Sequence, residues 1–224
     1  MYMRKILLLV VCVMTLAACS NVQVMGYEKV DASETIVTET YNLKPFEKID
    51  VKGVANVEII QNEEKNGVVE LKAPDNYIDL FKFDSKDGRL VIDLAKKVNI
   101  DVRNVLITVY TSDLIALTNS GVSHVSMDSL DTDKLEVINS GVGDIQIGGV
   151  ADDVKLVCSG VGSIRASELK ALNVKASVSG VGSVSCYASE RIDGTVSGVG
   201  ALKYAGHPKV KNTHRSGVGG ISEE

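Results

Sequence analysis

Six serines, Ser120, Ser140, Ser159, Ser179, Ser197 and Ser216, recur at intervals of 18 to 20 residues, each followed by Gly-Val and, in all but the first copy, by a second glycine. Ser123 stands where the other copies have that glycine. Stacked in register, the serines would form a row of hydroxyls beside bare backbone, a strip that admits close approach of a glycan or of another sheet. Serine and glycine are also the residues that tight corners prefer, and the corner reading accounts for the pattern more simply.

Carboxylates are the second candidate chemistry. Ser140-Gly141-Val142-Gly143-Asp144 has the look of a calcium-binding Gly-Asp roll, but such rolls need a nonapeptide period with an aspartate in every turn. Here the position of Asp144 passes to Ser163, Ser183 and Ala201 in later copies. Asp128, Asp131 and Asp133, or Asp152 and Asp153, would hold a hard cation only in a suitable coil loop. Exposed acidic turns that keep the edges soluble are the simpler expectation. His124, His207 and His214 have no partners at metal-ligand spacing. No catalytic motif is present, and neither a metal nor a cofactor is expected.

One side chain is marked for covalent modification. Arg4 and Lys5 precede the apolar stretch from Ile6 to Leu16, and Leu16-Ala17-Ala18-Cys19 then forms a lipobox-like motif. Residues 1–18 read as a lipoprotein signal peptide, and Cys19 as the residue whose sulfur carries the lipid. The apolar run is too short for a comfortable membrane span, so attachment to the membrane is expected through that lipid alone. Ser20 and Asn21 follow, with no aspartate of the inner-membrane retention type, which favours the outer membrane. Its periplasmic and surface faces stay open.

What positions these residues follows from composition and period. About 205 residues remain after the signal, enough for one elongated domain or two small ones. A net charge of −5 and a pI near 5.3 exclude a nucleic-acid partner. Tryptophan is absent and only 4% of residues are aromatic, while glycine reaches 20. That recipe suits thin stacked coils filled by Val, Ile and Leu.

With each serine as position zero, inward columns fall at minus five, minus three and minus one (Leu135, Val137, Asn139; Val154, Leu156, Cys158), apolar but for Asn119 and Asn139, with mostly polar residues between. This is strand alternation. After the corner, Val122, Val142, Val161, Val181, Val199 and Val218 stand at plus two, and further apolar columns stand at plus five and plus seven. Like-on-like stacking makes each column a ladder, and the glycine at plus one is read as a left-handed corner. Cys158 and Cys186 occupy different columns and read as small hydrophobes rather than a disulfide. In the last coil Lys211, Thr213 and Arg215 replace the apolar ladder, which predicts a polar closing coil that blunts an open edge.

The pattern divides the chain into a lipid-anchored tether at 19–34, irregular coils or hairpins at 35–112 and a regular solenoid at 113–224. Ile49 to Ile59 repeats the pattern of Leu135 to Ile147 in worn form, and Asn76–Phe83 is the one helix-like stretch.

The lipobox, the opening Phe46-x-x-Ile49-x-Val51-x-Gly53 and the Ser-Gly-Val-Gly repeats together resemble the DUF2807 family, adhesins of the head GIN domain type common in Bacteroidetes. The resemblance spans about residues 40 to 220. It implies an all-β, right-handed parallel β-helix and a cell-envelope location. The expected function is a non-enzymatic, adhesin-like envelope lipoprotein that presents its surface to a macromolecule: a glycan, a matrix component or an envelope protein. A periplasmic scaffold that oligomerises through coil ends or faces is the alternative. A β-helix polysaccharide-degrading enzyme is the outsider, since short coils without tryptophan leave little room for a sugar-cleaving site. No individual binding residue can be ranked from the pattern.

Overall fold

A computed structural model describes residues 27–224, so Cys19 and the expected signal peptide lie outside the described residues. The first half contains β1 (Glu28–Lys29), β2 (Ile36–Asn42), β3 (Lys48–Val51), β4 (Val54–Gln61) and β5 (Val68–Pro74). A 3-10 turn at Asp75–Leu80 leads into β6 (Phe81–Lys86), β7 (Arg89–Leu94) and β8 (Val98–Asn99). A second 3-10 turn at Val102–Asn104 precedes β9 (Leu106–Thr111). The repeats supply β10 (Ala116–Asn119), β11 (Val122–Asn139), β12 (Val142–Cys158), β13 (Val161–Val178), β14 (Val181–Val196), β15 (Val199–Ala205), β16 (Val210–Arg215) and β17 (Val218–Glu223).

The repeats build a parallel β-solenoid of about five turns. Each long strand pairs with the next one coil later. Val122 sits beside Val142, Val142 beside Val161, Val161 beside Val181 and Val181 beside Val199. Strands β11 to β14 bend at register shifts, for example between Met127 and Leu130, so each wraps around a second corner without ending. The worn repeat is a true rung: β3 pairs in parallel with β10, and β4 with β11, Val54 beside Val122. One further parallel layer, β7 on β3 and β9 on β4, precedes that rung, and beyond it the pairing turns antiparallel, with β2 on β5, β5 on β9 and β6 on β7. The largest fully buried rings, Phe46 just before β3 and Tyr77 in the first 3-10 turn, lie in this half, and Tyr77 donates to the carbonyl of Val30 at 2.7 Å. The helix-like stretch is the 3-10 turn at Asp75–Leu80.

Inside the coils the ladders at minus five, minus three and minus one are buried, as are those at plus five and plus seven. The exceptions are Ile115, which is half-buried, and the last coil, where Lys211, Thr213, Arg215 and Glu223 are exposed and Ile221 is half-buried. Cys158 and Cys186 are both buried free thiols.

Two details differ from the sequence expectation. The valines at plus two are not part of the interior: Val122, Val142, Val161, Val181 and Val199 are 48–55% exposed. The inward position after the corner is plus three, filled only by glycine or Ser123. The glycine at plus one is not the left-handed residue either. Positive φ falls at plus three, in Gly143 (127°) and Gly162 (139°). At plus one the demand is for closeness, since a Cβ on Gly160 would run into the backbone carbonyl oxygen of Gly141 one coil below.

Candidate functional surface

Three side chains explain how the corner is held. Asn139 Nδ2 donates to the carbonyl of Gly143 at 2.8 Å, across the turn from minus one to plus three. Cys158 Sγ makes the same reach to Gly162 at 3.5 Å, and Arg215 Nη1 to Gly219 at 2.6 Å. In the first corner the roles reverse, and Asn119 Oδ1 accepts from Ser123 Oγ at 2.8 Å. Asn119 Nδ2 in turn donates to Asn139 Oδ1 at 3.0 Å, so the two buried amides are stacked and satisfied. A glycine at plus three leaves room inside for this brace.

With the interior closed, the outward side of each corner shows a serine, the edge of a glycine and a valine. The six serines are all exposed. Ser120 Oγ and Ser140 Oγ point back to the carbonyls of Val51 and Asn119 at 3.5 and 3.2 Å, which is turn chemistry. The backbone of the corner is spent on the coil below: Ser159 and Gly160 both donate to Asn139, and Val161 donates to Gly141 at 2.9 Å. The result is a flat, uncharged strip whose polar backbone is already paired.

The strip floors a groove of about 840 Å3 at its end nearest the hairpins. Val54, Val122, Val142 and Val161 form the floor, and the segment from Asp93 to Asn99 with Tyr27 forms a wall. Lys52, Lys96 and Lys97 line the same groove. A second, shallower groove of about 450 Å3 crosses the strand face before the corner. It carries alternating charge, with Glu136 paired to Lys155 at 2.6 Å and Arg191 to Asp193 at 2.8 Å.

The other candidates disperse. Asp144 is engaged by the next coil, accepting from Ser163 Oγ at 2.6 Å and from Arg165 Nη2 at 2.9 Å. The hydrogen bond from Ser163, helped by the Arg165 charge, holds its carboxyl below the usual range. Asp128, Asp131 and Asp133 do not converge, Asp153 accepts from Asn173 Nδ2 at 3.0 Å, and no group of three metal-ligating side chains occurs among the described residues. His124 and His214 are exposed, and His207 Nδ1 lies 3.1 Å from Glu223. Burial pushes the Cys186 thiol up to about 12 and raises that of Cys158 as well, with Asp144 adding to the latter. Neither is a nucleophile at neutral pH. No helix among the described residues is long and apolar enough to cross a membrane.

The exposed valine strip and its groove had no clear signature in the sequence. An apolar residue in a ladder reads as buried unless the parity of the strand is carried through the corner.

Comparison with known proteins agrees with this architecture. An adhesin of Bacteroides fragilis, described as "putative", shares 31% identity over 87% of this chain and 100% of its own, with a TM-score of 0.74. A "putative lipid binding protein" from Parabacteroides distasonis shares the fold at 16% identity, covering 88% of this chain and 100% of its own, with a TM-score of 0.55. A "putative adhesin" from the same species has 20% identity, 88% and 100% coverage and a TM-score of 0.53. No curated protein matches the chain. The family model described as "Putative auto-transporter adhesin, head GIN domain" matches residues 45–208, and the chain therefore belongs to the DUF2807 family.

Proposed function

We propose that the protein is a non-enzymatic, adhesin-like lipoprotein of the cell envelope, held at the outer membrane by a lipid on Cys19. Its solenoid presents a repetitive surface to a macromolecule such as a glycan, a matrix component or an envelope protein. The observation that carries this reading is the Ser-Gly-Val strip, repeated coil after coil on a rigid shaft, with its reactive groups dispersed or internally paired. Family membership and the adhesin-like neighbours support it. Such a surface gains affinity from many weak repeated contacts rather than one pocket.

The test is protease accessibility of an epitope-tagged chain on intact cells, with Cys19→Ala as control. The expected result is cleavage from outside for the natural chain and release of the Cys19→Ala chain from the membrane fraction. Protection of the natural chain until the outer membrane is breached would overturn surface display.

A second reading, a periplasmic scaffold, is favoured by one feature. Strands β16 and β17 each pair on one side only, β16 with β14 and β17 with β15. A coil end with free backbone groups is a place where copies can add.

A further inference from the structure

We infer that the groove over Val54, Val122, Val142 and Val161 binds a single linear acyl chain with an anionic head, a free fatty acid being the type ligand. Four observations converge on this. The floor is apolar and one valine wide. Its outermost rungs, three coil spacings apart, lie roughly 14 Å from each other at the usual strand spacing. A second folded copy needs about 800 Å2 on each partner for a stable interface, and a strip this narrow does not offer it.

An extended peptide is disfavoured for another reason. It would bring its own row of N–H and C=O groups, which need partners when covered. The corner backbone is already committed between coils, Val142 N–H to Gly121 and Val161 N–H to Gly141, both at 2.9 Å. A hydrocarbon chain makes no such demand.

Charge then selects the head. Lys52, Lys96 and Lys97 line the groove. They are exposed, and none forms an ion pair among the described residues. Asp93, the one carboxylate in the lining, bonds back to the N–H of Leu94 at 2.8 Å. The lysines belong to the end of the groove where β7 stacks on β3, the same end as Val54. A carboxylate there and a tail running toward Val161 satisfy both halves of the site.

The experiment is calorimetric titration of the full chain carrying Cys19→Ala, prepared without detergent, with sodium octanoate, decanoate and dodecanoate below their micelle concentrations. Saturable binding of one acid per chain is expected. Affinity should rise about two- to fourfold for each added CH2, given partial to full burial of each methylene. Val122→Ser with Val142→Ser should weaken dodecanoate at least about fivefold. Val181→Ser with Val199→Ser, on the same ladder beyond the groove, should leave it unchanged. Lys96→Gln with Lys97→Gln should weaken dodecanoate and spare dodecanol. These side chains are solvent-facing, and circular dichroism checks that each variant folds. Non-saturable binding, equal losses from both valine pairs, or binding to anionic phosphatidylglycerol vesicles without binding of free dodecanoate would each overturn the assignment.

Discussion

At the scale of the residue, the corner brace separates side chains that look interchangeable. Asn139 and Cys158 hold the same ladder position as Val178 and Val196, yet only some of them have work to do there. Asn139 satisfies Gly143 and accepts from Asn119 inside the coil. Asn139→Val removes both bonds and strands the Asn119 amide, so a loss of about 2 kcal/mol in urea unfolding is expected. Cys158→Val loses one weak sulfur contact at 3.5 Å and gains a residue the ladder already uses. It should stay within about 0.5 kcal/mol of the natural chain in the same assay. From the bare sequence Asn119 and Asn139 break an apolar column without explanation. Their purpose needs Gly143 and Ser123 in place, because the partner lies four residues on, across a turn whose shape alternation does not encode.

At the scale of the element, the tetrapeptide divides its glycines into unlike duties. Gly160 is packed against the backbone of Gly141, whereas Gly220 in β17 has open space at its Cβ position. Gly160→Ala must push two coils apart and should cost at least about 3 kcal/mol, while Gly220→Ala should be close to neutral in guanidinium unfolding. Coils are also joined by side chains. Asp144 reaches Ser163 and Arg165 one coil on, and Asp193 is held low by Arg191 and Asn212. Because these carboxyls are depressed in the fold, their contribution is complete above the ordinary carboxylate range. It is lost as pH falls through and below that range. Thermal melts should therefore show a falling midpoint in acid, and Asp144→Asn should flatten part of that slope.

The 18–20-residue period was enough to assign parallel stacking, the inward strand columns and the worn rung at β3 and β4. It left 35–112, which lacks the repeat, open between irregular coils and hairpins, and it did not reveal the valine strip. Val122 and its equivalents look like core because the true inward slot at plus three holds a glycine, which carries no hydrophobic signal.

At the scale of the whole molecule, the two ends of the stack are finished differently. One end is finished by the antiparallel pair β6 and β7. The other shows β16, exposed along its length, with Lys211 beside Ile192, Thr213 beside Gly194 and Arg215 beside Val196. Lys211 pairs with Glu223 at 2.7 Å, an exposed contact of little energetic weight. Its larger consequence is to place charge where a further coil would stack. Lys211→Val combined with Arg215→Val should turn that face apolar and shift the protein toward higher mass in light scattering at micromolar concentration. A double variant that keeps the mass of the natural chain would show that charge is not what limits association there.

The register also sets a timetable for acquiring the fold. Lys48 pairs with Ala116 across 68 residues, whereas Ala116 meets Glu136 across only 20, and the later coils keep nearly that spacing. Because closure cost grows with the logarithm of loop length, the first of these costs about 1 kcal/mol more than each of the others. The rung that joins β3 to β10 is therefore the costliest of these closures, and each later coil needs little more than its own length of chain. A polypeptide delivered from its N-terminus can fold in this way while the remainder is still arriving, and an added repeat would lengthen the shaft without lengthening the wait.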